Sequence, residues 1–306
     1  MGKVVVMFAG QGTQHPGMGR ELYEKSPAAR EVFDCAEKIR PGTIEQIFSG
    51  SDEELAQTKN TQPCVFCVDL AAAAALKEAG IPIDMLAGFS LGELAALAFS
   101  SAVTYEEAFR LVCRRAELMQ KASEAIDAGM VAVLKLSDDK VISLCAEFEQ
   151  VYPVNFNCPG QVVIAGVKDQ LELLKTRVKE AGGRAMPLKV GGGFHSPFMA
   201  SASVEFAEVL SNTEFKTPEI PLYSNVTAEI YGDNFRELLE KQIKSPVLWG
   251  RAVENMILAG ADTFIEAGPG KTLCGLVSRI SDKVRVFNVE DLDSLKKTVE
   301  GVNSGA

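Results

Sequence analysis

The pentapeptide Gly88-Phe89-Ser90-Leu91-Gly92 constrains this chain more than any other stretch. It follows the apolar run Met85-Leu86-Ala87 and precedes Glu93-Leu94-Ala95-Ala96-Leu97, a helix-forming segment. A strand that turns into a helix over one serine needs glycine on both sides, because side chains there would collide across a strained turn. The serine then projects at a helix N-terminus, where free N–H groups and the helix dipole favour negative charge. The pattern therefore predicts a nucleophile on a strand–turn–helix unit, with an ordinary structural turn as the alternative.

That unit fits the rest of the chain. Short apolar runs at 4–9, 162–165 and 263–266 alternate with helical periodicity such as that of 105–121, which predicts an α/β fold with a mostly parallel sheet. The rhythm changes near residue 125. Strand-like runs at 130–136, 161–165 and 185–190 enclose helical segments at 138–149 and 168–181, in the manner of a ferredoxin-type β-α-β-β-α-β unit. The expected organisation is a core of residues 1–124 and 193–306 with a subdomain of residues 125–192 inserted in it. The alanine run 71–75 is expected within a helix.

Composition narrows the class. Of 306 residues, 47% are hydrophobic and 24% charged, which suits a globular chain with a substantial core. Forty-one acidic against 31 basic residues leave a net charge of −10, so neither nucleic acid nor an anionic membrane is an expected partner. No run approaches the ~18 apolar residues of a membrane span, and the opening Val4–Ala9 reads as a buried strand rather than a leader. Seven scattered cysteines suggest a reduced, cytoplasmic setting.

A serine nucleophile needs a base, and the chain has two histidines. His195 ends the glycine-rich approach Gly191-Gly192-Gly193-Phe194 just before Ser196-Pro197, where a helix is expected to start. It is favoured over His15, which sits in a polar turn. In the 105–121 helix, counting by three and four from Ala108 through Leu111 and Val112 lands on Arg115, which therefore points inward, while Arg114 faces solvent. A buried guanidinium must be paired. An internal acid or a substrate carboxylate would both serve, and the spacing leaves the two open. Three further patterns carry less. Gly10-Gln11-Gly12 lacks the third glycine of a dinucleotide fingerprint, Gly270-Lys271-Thr272 lacks the first glycine of a P-loop, and Cys64/Cys67, following Pro63 at an expected helix start, have no companion metal ligands.

Taken together, these segments resemble the malonyl-coenzyme A:acyl carrier protein transacylases, the acyltransferases of fatty acid synthesis. The resemblance runs from Phe8-Ala9-Gly10-Gln11-Gly12-Thr13-Gln14 to Glu266-Ala267-Gly268-Pro269-Gly270-Lys271. It includes Glu93, Arg115-Ala116-Glu117-Leu118-Met119-Gln120, Asn155-Phe156-Asn157-Cys158-Pro159-Gly160-Gln161 and Phe194-His195-Ser196-Pro197. It implies an α/β-hydrolase-like core with an inserted ferredoxin-like subdomain. It implies that Ser90 is acylated, that His195 is its base, and that Arg115 holds the malonyl carboxylate. Gln11 and Leu91 would supply the oxyanion N–H groups, and the backbone carbonyl of Gln242 would orient the histidine. Asn157, Gln161 and Phe194 would shape the pocket. Phe89 departs from the histidine that many members carry, which bears on substrate scope and hydrolysis. The implied partners are malonyl-coenzyme A and acyl carrier protein, with no metal or redox cofactor and a monomeric enzyme. The carrier is typically acidic, so docking needs local cations; Arg184, Lys189, Lys271 and Arg279 are candidates. A polyketide or malonate-decarboxylating transacylase, an acyl hydrolase and a silent acyl-binding protein are the alternatives.

Overall fold

In a computed structural model, which describes residues 2–304, the strands form two sheets. In chain order they are β1 (Lys3–Phe8), β2 (Met85–Gly88), β3 (Ala128–Leu134), β4 (Val151–Cys158), β5 (Gln161–Val167), β6 (Arg184–Pro187), β7 (Leu222–Tyr223), β8 (Ala261–Ala267) and β9 (Arg285–Val289). The first sheet is parallel, in the order β7-β2-β1-β8-β9. Its central strand β1 is apolar on every residue from Val4 to Phe8 because helices cover both faces. Side chains alternate between those faces. Val4, Val6 and Phe8 enter the core built on the helix Thr58–Glu78, and Val5 and Met7 enter the core around Trp249, Val253 and Val277.

The second sheet is antiparallel, in the order β4-β5-β3-β6, with the helices Asp138–Cys145 and Lys168–Glu180 between its strands in sequence. Val131, Val133, Val162 and Ile164 pack against those helices, while Met130, Ala132 and Val163 belong to the main core. The antiparallel sheet is tied to the segment leading into the helix Trp249–Leu258: Phe156 N donates to Val247 O at 2.9 Å and Val247 N to Val154 O at 2.8 Å.

The mixed α/β architecture with a parallel and a separate antiparallel sheet is the expected one, with local corrections. Strand β4 has no counterpart among the apolar runs, because Pro153, Asn155 and Asn157 interrupt its hydrophobic pattern and its register with β5 shifts twice. The expected strand 185–190 ends at Pro187, the last residue paired with β3; Leu188 N still donates to Met130 O at 2.9 Å, and Val190 lies beyond the strand. The helix expected to begin at Pro63 begins at Thr58, and Pro63 lies inside it.

Candidate active site

The elbow is a matter of clearances. A Cβ on Gly88 would lie 2.0 Å from the Gly92 carbonyl carbon, and one on Gly92 would lie 2.3 Å from Phe8 O. Both glycines are therefore required, and Ser90 between them is held at φ 56°. Asn225 clamps the turn from the end of β7. Its Oδ1 accepts from Ser90 N at 2.8 Å and its Nδ2 donates to Gly88 O at 2.6 Å.

Ser90 Oγ donates to His195 Nε2 at 2.7 Å, and His195 Nδ1 donates to the Gln242 backbone carbonyl at 2.8 Å. His195 is buried rather than lying on an open loop, and Ser196 caps a short 3₁₀ turn, Pro197–Met199, before the next helix. Burial, assisted by the Arg115 charge, lowers the His195 pKa to about 4. The imidazole is then neutral at ordinary pH, with Nε2 free to take a proton. His15 is exposed, and its ring contacts Pro16 O.

Arg115 is fully buried in the helix Tyr105–Glu124. Among the described residues no carboxylate lies within ion-pairing distance of it. Nη1 donates to Gln62 Oε1 at 2.6 Å, and Nη2 donates to Gln242 Oε1 at 2.8 Å and to Ser90 Oγ at 3.2 Å; Nε has no partner among the described residues. Burial lowers its pKa to about 10, so it remains a cation at neutral pH.

A cavity of ≈ 260 Å³ opens at Ser90. Gln11, Phe89, Leu91, Asn157, Gln161, Phe194 and His195 all line it, so the predicted residues converge there, while Arg115 and Gln242 lie behind its wall. Met130, Ala132 and Val163 of the antiparallel sheet form the opposite side, with Leu188 and Val190 beside them. Neither Gln11 N nor Leu91 N is taken by another group among the described residues. Gln161 accepts a hydrogen bond from Arg279, a neutral-amide contact that leaves the charge of this exposed side chain in place. Phe89 stacks edge-on against Trp249, ring centroids 5.5 Å apart.

Gln62, Asn155 and Asn225 were not anticipated as site residues. Gln62 lies in a helix whose start was misplaced. Asn155 and Asn157 sit on the unlocated strand β4, and their Oδ1 atoms are buried acceptors without a partner among the described residues. Asn225 follows a strand of two residues, too short to produce a pattern.

A serine on a nucleophile elbow, a neutral histidine oriented by a carbonyl and a buried cation beside the serine define an acyl-transferring enzyme. The acyl transferase domain family matches residues 5–298. The malonyl CoA-acyl carrier protein transacylase of Bacillus subtilis (strain 168) is 38% identical over 98% of this chain and 97% of its own length, and that of Staphylococcus aureus (strain MSSA476) 34% over 97% and 98%. The structure of the Clostridium perfringens transacylase superposes with a TM-score of 0.95 at 37% identity, covering 99% of this chain and 98% of that one. A malonyl-transacylase solved in complex with its type II polyketide acyl-carrier protein gives 0.94 at 34% identity, covering 98% and 99%. The chain belongs to the malonyl CoA-acyl carrier protein transacylase family of acyltransferases.

Proposed function

We propose that the chain transfers malonyl groups from malonyl-coenzyme A to the phosphopantetheine thiol of acyl carrier protein, supplying fatty acid elongation, with Ser90 as the carrier of the acyl group. The observation that carries this reading is the array of Arg115, Ser90, His195 and the Gln242 carbonyl, linked at 3.2, 2.7 and 2.8 Å. Ser90 Oγ attacks the thioester carbon while His195 Nε2 takes its proton. The carbon–sulfur bond breaks, and the leaving coenzyme A thiolate recovers that proton. In the second half the carrier thiol gives its proton to His195 and attacks malonyl-Ser90, and the serine oxygen leaves protonated. Gln11 N–H and Leu91 N–H stabilise the oxyanion in both halves; Leu91 adds the positive end of the helix Gly92–Phe99.

Arg115 holds the malonyl carboxylate through Nη2 and the unpartnered Nε–H, the edge of a guanidinium that suits a carboxylate fork. Its present partners are neutral amides and a hydroxyl, so its charge is available. Asn157, Gln161 and Phe194 shape the acyl and pantetheine path. The proton and electron balance of the two steps closes without a metal or redox group. Residues 125–192 act as a subdomain that walls the pocket, and 1–124 with 193–306 form the catalytic core. Arg184, Lys189, Lys271 and Arg279, all exposed, are the cations for an acidic carrier. No described helix is long and apolar enough to cross a membrane, and we place the enzyme in the cytoplasm as a monomer.

Intact-protein mass spectrometry after mixing with malonyl-coenzyme A tests the reading. A malonyl adduct should appear, vanish in Ser90→Ala, and discharge onto phosphopantetheinylated carrier. Free malonate as the product, with or without carrier, would instead mark a hydrolase.

A further inference from the structure

Behind the serine lies a buried carboxylate that the transfer itself does not use. Glu93, in the first turn of the helix after the elbow, is fully buried and collects hydrogen bonds on both oxygens. Oε1 accepts from the Tyr231 hydroxyl, and Oε2 accepts from Gln242 Nε2 at 3.0 Å and Asn225 N at 3.2 Å. The other Nε2 hydrogen of Gln242 goes to Ser90 O at 2.8 Å, and Gln242 Oε1 accepts from Arg115 Nη2. We propose that Glu93 is a positioning residue. It fixes the Gln242 side-chain amide with its oxygen towards Arg115, and so keeps the guanidinium aimed at Ser90 and at the substrate carboxylate.

The reasoning follows from donor and acceptor polarity. A primary amide can be turned over without changing its shape, so something must choose between its two settings. In the observed setting, NH₂ meets two acceptors and the carbonyl meets a donor. The reversed setting would place NH₂ against the guanidinium and the carbonyl against Glu93 Oε2 and Ser90 O, losing every bond and adding repulsion at both ends. Oε2 of Glu93 enforces that choice together with Ser90 O and Arg115 Nη2. Burial raises the Glu93 pKa to about 7, and the proton has a place that leaves the choice intact. On Oε1 it meets the Tyr231 hydroxyl, which can rotate to accept it, while Oε2 stays an acceptor. Tyr231, whose own pKa burial pushes well up, Arg115 and His195 are the other titratable groups of this buried cluster.

This proposal rests on Ser90 and Arg115 having the roles given above. Its test is the ratio of Ser90 acylation rates with malonyl- and acetyl-coenzyme A, read by mass spectrometry in the full chain. Glu93→Gln can donate to Tyr231 and keep an oxygen at the Oε2 position, so it should retain the parental ratio within about twofold. Glu93→Leu, similar in size without an acceptor, should lower the ratio about tenfold, because a freed Gln242 no longer anchors the cation. Should Glu93→Leu fail to fold, Gln242→Met breaks the same link while keeping the backbone carbonyl on His195, and the same fall is expected. An unchanged ratio in Glu93→Leu, or in Gln242→Met where that variant stands in, would overturn the proposal. So would a fall in Glu93→Gln as deep as in Glu93→Leu, since charge rather than acceptor polarity would then be responsible. A parent that forms no acyl-Ser90 at all would overturn the site reading itself, and this proposal with it.

Discussion

Ser90 and His195, the two ends of one 2.7 Å hydrogen bond, both hold left-handed backbone, at φ 56° and 59°. Non-glycine residues rarely sit there, and such conformations cost of order 1 kcal/mol or more each unless the surroundings enforce them. At Ser90 the enforcement is visible. Asn225 ties the turn on both sides, and backbone packs within contact distance of Gly88 and Gly92.

The strain at Ser90 can be released by substitution. Ser90→Ala and Ser90→Gly should both fail to form an acyl adduct. Ser90→Gly should nevertheless be the more stable of the two by about 1 kcal/mol, because glycine adopts positive φ freely. Thermal melts decide it; a glycine variant no more stable than the alanine one would show an unstrained elbow.

Acylation should resist acid. The base must be neutral, and burial lowers the His195 pKa from 6.5 to about 4. The kcat/KM profile for malonyl-coenzyme A should therefore lose activity on the acid side near pH 4, well below an ordinary histidine limb. A limb between 6 and 7 would show the imidazole to be solvated or differently partnered. The same shift acts on stability: the unfolded chain binds the proton first, so stability is lost as pH falls from 6.5 towards 4.

Glu93 works in the opposite sense. Its pKa is raised from 4.5 to about 7, so the native state holds a proton that the unfolded chain has released. Its contribution to stability is fully present below pH 4.5 and lost as pH rises through 7. Glu93→Gln cannot ionise, so its melting temperature should gain on the parent's between pH 5 and pH 8. A constant difference would show that Glu93 keeps an ordinary carboxylate pKa.

Removing Arg115 separates substrate recognition from structure. Arg115→Ala deletes a charge-assisted contact worth roughly 1.5–3 kcal/mol to malonyl transfer, so that rate should fall about tenfold or more. Acetyl transfer should fall far less, having no carboxylate to lose. The vacated Gln62 and Gln242 oxygens should cost about 1–3 kcal/mol of folding stability. Parallel loss for both acyl groups would assign Arg115 to the scaffold.

Phe89 packs edge-to-face with Trp249 and lines the cavity, where an aromatic ring beside the nucleophile is expected to restrict water. Phe89→His should leave malonyl transfer largely intact and raise the fraction of acyl-enzyme lost to water, measured as free malonate against carrier-bound product. Unchanged partitioning would remove Phe89 from the control of hydrolysis.

The reacting groups were legible because their chemistry forces local signatures. Ser90 needs its two glycines, and Arg115 falls on an apolar stripe with nothing nearby in sequence to excuse it. Their support was not legible. Gln62, Asn225 and Tyr231 are ordinary polar residues that matter only through contacts 53 to 138 positions away in the chain. The strand β4 is hidden for a related reason, since Asn155 and Asn157 face a cavity and, with Pro153, leave no continuous apolar run. Arg115 itself was framed as a choice between an acid and a substrate. Neutral amides rather than an internal acid hold it, which spacing along one helix does not reveal.

The division of the cavity between two sheets has an evolutionary consequence. The nucleophile follows strand β2 of the parallel sheet, while Met130, Ala132 and Val163 line the same cavity from the antiparallel one. Mutations that enlarge or narrow that second wall change which acyl chain fits without disturbing the strained turn, the histidine or the cation behind it. A lineage built this way can drift in what it accepts while its reactivity stays under separate selection.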